Sequence, residues 1–207
     1  MIDYSREAGK MDKNYLVDQL RHFASENGIT IPDEILGQAV SNATFKVVSK
    51  GERLSSIGDD TTMSGIVLDG IIRSYYVDSE GNDITRGFVP QGGMFMDEGF
   101  FIYAERQTMW EALEESTVMM MQVEFVKNLI RDNVELKDVW ITLLESAMRY
   151  KIYRENGFLV ENATERYIHF KKRYPELSRS VPQKHIATYL GIAPESLSRI
   201  RSAMKEE

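Results

Sequence analysis

The apolar positions of this chain change spacing along its length, and the changes mark out its elements. The segments from about Lys13 to Asn27 and from Asp33 to Asn42 read as helices. Between Thr44 and Val123 the pattern shortens to runs rich in β-branched and aromatic residues: FKVVS, ERLSSI, MSGIVLDG, IIRSYYVD, DITRGFV, TMWEALE and VMMMQV. Each reads as a strand, and turn signals at Lys50-Gly51, Asp69-Gly70 and Glu80-Gly81-Asn82 separate several of them. Short strands at this spacing predict a β-sandwich or jelly-roll barrel. A long helix follows, from about Glu135 to Asn156, in which Leu136, Trp140, Leu143, Ala147 and Tyr150 recur at alternating steps of four and three. That is the spacing of a coiled-coil seam and predicts homodimerisation, although a helix packed on its own barrel would carry a similar stripe. Gly157 is expected to break this helix before another from about Asn162 to Tyr174, which Pro175 ends ahead of a short link to Val181.

The last stretch, VPQKHIATYLGIAPESLSRIRSAMKEE, has a different logic. Ile186, Leu190, Ile192, Leu197 and Ile200 line the inner face of two short helices, which bury that face together. Ala187 sits where the helices approach most closely, and Gly191 can take the positive φ that ends the first of them. Pro182 and Pro194 each stand where a helix should begin, while Ala193 fills the N-cap position without an oxygen to offer. This is the pattern of a helix-turn-helix. Its second helix, about Pro194 to Met204, carries Glu195, Ser196 and Arg199 on or near the outer face, with Ser198, Arg201 and Lys205 close by. Arg can pair with guanine O6 and N7, Glu can accept from cytosine N4, and Ser can serve a base or a phosphate. Lys184, His185 and Arg201 are the candidate phosphate contacts.

Composition agrees with a soluble DNA-binding protein once the distribution of charge is considered. The net charge of −7 argues against a nucleic-acid partner, but residues 161–207 carry +3 and residues 1–160 carry −10. There are no cysteines, which excludes disulfides and a Cys-ligated iron-sulfur cluster. No apolar run approaches the ~20 residues that span a bilayer, so no membrane partner and a cytoplasmic location are expected. A barrel enzyme of the cupin type would need several His inside the barrel. The three histidines, His22, His169 and His185, lie outside it, and no nucleophile triad or phosphate loop appears, so the chain reads as a non-enzyme without a metal.

The helix-turn-helix residues resemble the end of the Crp/Fnr family, relatives of the cyclic-AMP receptor protein and the fumarate-nitrate regulator. The family's recognition helix starts Arg-Glu-Thr or Ser with an Arg four residues after the Glu; Glu195, Ser196 and Arg199 match, whereas Pro194 replaces the leading Arg. The resemblance covers nearly the whole chain from about Met11. It implies an α+β fold: an N-terminal double-stranded β-helix (jelly-roll) cyclic-nucleotide-binding-like sensor domain over 11–130, a dimerisation helix over 131–158, and a helix-turn-helix domain over 159–207. No stretch before Glu207 fits the β-hairpin wing that most members add. The implied function is transcription regulation by a homodimer on a palindromic double-stranded operator, with RNA polymerase as a further candidate partner. A ligand-sensing or protein-interaction module with degenerate DNA binding is the alternative.

In members that bind cyclic nucleotides, a cassette runs Gly-Glu-Leu, a loop, then Arg-Ser or Thr-Ala. Here the matching stretch is QGGMFMDEGFFIYAERQTMWEAL, which places Asp97 or Glu98 near the Glu, Arg106 near the Arg, and Gln107-Thr108 at the small pair. Asp97, Glu98, Arg106 and Thr108 are therefore the effector-site candidates. Met96 in place of the Gly that lets a phosphate approach weighs against a cyclic nucleotide, and no other cofactor is implied. Met94, Phe95, Met96, Phe100, Phe101 and Tyr103 could line an apolar pocket, with ordinary core packing as the simpler reading.

Overall fold

The structure, a computed structural model, describes residues 13–26, 28–55, 63–96, 100–101 and 107–204. The chain divides into two compact units: Met1–Ser74 with Phe88–Thr142, and Tyr75–Gly87 with Leu143–Glu207.

The first unit opens with α1 (Lys13–Glu26) and α2 (Asp33–Ser41). Leu16 and Leu20 of α1 and Leu36, Ala39 and Val40 of α2 form one buried cluster with Met119 and Met121 of the sheet. Among the described residues eight strands follow: β1 (Thr44–Val48), β2 (Arg53–Ser55), β3 (Met63–Asp69), β4 (Ile71–Val77), β5 (Asp83–Pro90), β6 (Met94–Met96), β7 (Met109–Ala112) and β8 (Ser116–Gln122). They form two four-stranded sheets, ordered β1-β8-β3-β6 and β2-β7-β4-β5, in which β1–β8, β3–β8, β3–β6 and β2–β7 pair antiparallel. Seven strands match the predicted runs to within a few residues. The eighth, β6, is only three residues long, too short to show an alternation of its own. Val48, Val67, Ile72, Phe95, Trp110, Ala112 and Val118 form the sheet core, with the Phe95 and Trp110 ring centroids 5.4 Å apart. Gly65 is required there, because a Cβ at that position would overlap the Phe95 ring and stand 2.5 Å from the Met119 carbonyl oxygen. Arg73 of β4 is 1 % exposed and donates from Nη2 to Glu111 at 2.7 Å, which offsets part of the cost of burying its charge.

After β8 come α3 (Val123–Asp132) and the long α4 (Val134–Val160). The break expected at Gly157 is not there: α4 runs through Gly157, which is buried, and continues to Val160. Glycine in a helix costs only about 1 kcal/mol relative to alanine, less than it takes to end a packed helix. The chain turns instead at Asn162, whose Oδ1 accepts from the amides of Thr164 and Glu165 at 3.0 and 3.1 Å. Glu165 Oε2 accepts from the Asn162 amide at 2.8 Å, completing a capping box that starts α5 (Ala163–Arg173). The link beyond Pro175 includes one turn of helix, α6 (Leu177–Ser180), and α7 (Gln183–Leu190) and α8 (Pro194–Ala203) complete the second unit. Among the described residues no helix is long and apolar enough to cross a membrane.

Candidate functional site

Helices α7 and α8 are built much as their residues require. Ile186, Ala187, Tyr189, Leu190 and Leu197 are buried, and Ala187 and Leu197 are wholly inaccessible. Gly191 ends α7 with φ of 68°, the Ile192 amide donates back to the Ala187 carbonyl at 3.0 Å, and three residues later Pro194 opens α8. Ala193 gives no side-chain cap, as expected; the Ser196 and Leu197 amides donate to its carbonyl instead. Pro182 is one position earlier than expected, at the N-cap of α7, where its missing N–H is equally harmless.

Side chains from α4 and α5 hold the carbonyl end of α7. Arg154 Nη1 donates to the Tyr189 carbonyl at 2.8 Å, and Arg166 Nε donates to the Leu190 carbonyl at 3.0 Å. Both satisfy oxygens that a helix end leaves without an intrahelical partner. The Tyr150 and Tyr189 hydroxyls lie 3.0 Å apart, and burial pushes Tyr189 up to about 12 and raises Tyr150 as well. Both phenols are therefore neutral near pH 7. On another side of α7, Thr188 Oγ1 accepts from the Thr85 amide at 3.2 Å and pairs with Thr85 Oγ1 at 2.9 Å, fastening the hairpin between β4 and β5 to this helix.

The outer side of α8 brings together the expected base-contacting set. Glu195 and Arg199 are exposed and Ser196 is half-buried, while Leu197 anchors the opposite side. Glu195 in the first turn also complements the positive end of the helix dipole. Ser196 and Arg199 line a shallow groove with Asn162 and Thr164 at the start of α5. Those two residues were not anticipated, although the Asn-x-x-Glu spacing of the capping box was a signal for them. Lys184 is exposed and Arg201 is half-buried. His185, expected at a phosphate, is instead 4 % exposed, because its position on α7 shares the inward face with Ile186 and Tyr189.

The seam candidates fall in several different environments, and most of the effector candidates lie outside the described residues. Of the supposed seam, Leu136 is buried, Trp140 packs on Phe100 and Phe101 with centroids 4.8 and 6.2 Å away, and Tyr150 meets Tyr189. Leu143 is half-buried and Ala147 exposed. An exposed apolar row of α4 runs through Ile141, Leu144, Met148 and Ile152, and Val134, Tyr153, Phe158, Leu159 and Val160 of the same helix are exposed as well. Of the effector candidates, Asp97, Glu98 and Arg106 lie outside the described residues, as does Tyr103, while Thr108 is fully buried just before β7. Phe95 and Phe100 are buried, whereas Phe101 is 58 % exposed. Among the described residues no cluster of His, Cys, Asp or Glu could hold a metal ion.

Residues 45–133 match the cyclic nucleotide-binding domain family. FixK2 from Bradyrhizobium japonicum superposes with a TM-score of 0.67 at 19 % identity, covering 79 % of this chain and 85 % of that one. A structure described as a Crp/Fnr-family transcriptional regulator from Eubacterium rectale gives 0.67 at 15 % identity, covering 88 % and 86 %. The chain shares the fold of these structures. The c-di-GMP responsive global regulator CLP from Xanthomonas campestris shares that fold at a TM-score of 0.66 and 12 % identity, covering 84 % of this chain and 92 % of its own. No curated protein matches by sequence, so the Crp/Fnr likeness rests on the domain match and on structure.

Proposed function

We propose that this protein is a transcription regulator that binds double-stranded DNA as a homodimer, reading a palindromic operator with α8 under control of a signal received at a jelly-roll sensor domain. The observation that carries the proposal is the outward set on α8, Glu195, Ser196 and Arg199, standing over a buried Leu197. Such a helix enters the major groove with its N-terminal side chains at base edges. Arg199 would pair with guanine, Glu195 would accept from cytosine N4, and Ser196 would assist. Lys184 and Arg201 would meet flanking phosphates, which fix register without specifying sequence. The dimer would form through the exposed α4 row, Ile141, Leu144, Met148 and Ile152, because these positions recur at helical spacing on one side of the helix, while Leu136, Trp140 and Tyr150 are engaged within the chain. The match of residues 45–133 to a cyclic nucleotide-binding domain supports a sensing role for the β-domain.

The test is selection from a random duplex library by the purified full-length chain, with and without cyclic nucleotides, followed by sequencing. The expected result is an enriched palindrome whose half-sites lie about one helical turn, ~34 Å, apart. Enrichment of no sequence under any condition would overturn the reading and leave a sensing or interaction module.

A further inference from the structure

We propose that the second unit contains an oxyanion site walled by Arg154, Arg166 and Arg173, which takes the phosphate group of a small phosphorylated ligand. Arg154, Arg166 and Arg173 line one cleft together with Phe158, Glu161 and Tyr189. Its charge is unbalanced. Among the described residues Glu161 is the one carboxylate in the lining, and its Oε1 lies 2.9 Å from His169 Nδ1. Among the described residues, none of the three arginines has a carboxylate within ion-pair distance.

The arginines are held in place yet keep donors to spare. Arg154 lies 3.7 Å from the Tyr189 ring centroid and 4.7 Å from that of Phe158, and Arg173 lies 5.0 Å from Tyr150 and 5.7 Å from Tyr153. Arg154 spends Nη1 on the Tyr189 carbonyl, Arg166 spends Nε and Nη1 on the Leu190 and Glu161 carbonyls, and Arg173 spends Nε on the Tyr174 hydroxyl. Five guanidinium N–H groups per arginine leave several in each case, and the rings beside Arg154 and Arg173 limit how far those groups can move. A ligand would therefore lose little freedom on the protein side when it binds.

Size narrows the ligand. The cleft offers about 20 Å³ of space, room for one water-sized group. One phosphoryl oxygen can enter and the rest of the group must stay at the mouth, so a whole nucleotide is excluded from the interior. The competing reading is that Arg154 and Arg166 only cap α7 and the cleft holds water. Arg173 separates the two, because it caps no carbonyl of α7, so a purely structural account gives it no part in anion binding.

The test uses the full-length chain without DNA and so stands apart from the operator reading. Thermal unfolding is followed against inorganic phosphate and pyrophosphate, with chloride at matched ionic strength, for the native chain, Arg173→Gln, Arg173→Lys and an exposed control, Arg179→Gln. The expected outcome is a saturable rise in unfolding midpoint for the native chain and the control. It should be lost in Arg173→Gln and recovered at about tenfold higher phosphate in Arg173→Lys, since a lysine cannot make the paired contacts of a guanidinium. Three results would overturn the proposal: no saturable rise, an equal rise in Arg173→Gln, or an equal rise with chloride.

Discussion

At the scale of single residues, the reading surface and its support can be tested separately. Arg199 is exposed on α8 and has no structural partner that its loss would strand among the described residues. Arg199→Ala should leave the fold unchanged, cost about 1–3 kcal/mol at the preferred operator, and relax specificity at one position in each half-site, measured by titration against operator variants. Gly191 is the opposite kind of residue. Its φ of 68° is a conformation that costs an L side chain about 1–2 kcal/mol, and a Cβ there would stand 2.8 Å from the Phe158 ring. Gly191→Ala should therefore lower chemical-denaturation stability by at least that amount and weaken binding at every operator position alike. Local chemistry of this kind was legible in the sequence: Gly191, Ala187 and Pro194 need only their neighbours to be interpreted. The inward position of His185 was not, because at the edge of a short amphipathic helix one residue of rotation separates a phosphate contact from a packed side chain.

At the scale of elements, α4 shows how much a period can reveal and how much it cannot. Two apolar rows run along it, and both have helical spacing. Spacing alone could not say which of them meets the rest of the chain. Trp140 settles the matter through its contacts with Phe100 and Phe101, partners that lie about forty residues away in sequence and belong to no local pattern. If the other row forms the dimer, Ile141→Glu with Met148→Glu should convert the protein to a monomer in sedimentation equilibrium while leaving its far-ultraviolet circular dichroism intact. Ala147→Glu, between the two rows, should have a smaller effect. A double variant that still sediments as a dimer would place the dimer contact elsewhere. The strands were easier to read than the helix ends, since β-branched runs between turn residues carry their own signal, whereas β6 and α6 are each too short to do so.

At the scale of the whole molecule, the charge is segregated: the last 47 residues carry +3 against −10 for the remainder. Repulsion from the acidic portion works against a polyanion, so DNA binding should rely on few phosphate contacts and on correct bases. Each phosphate neutralised adds about −0.9 to the slope of log Kobs against log salt. A dimer using Lys184 and Arg201 in both copies should show a slope of roughly −4, and Lys184→Ala should reduce its magnitude by about 1 for each copy. The Thr188 hydroxyl gives the second unit one more property. A strand amide ordinarily exchanges with deuterium when its ladder opens, but the Thr85 amide is tied to a side chain 103 positions later, on α7. Its exchange rate is thus set by the opening of that helix, and this single strand proton acts as a clock for the integrity of the helical pair.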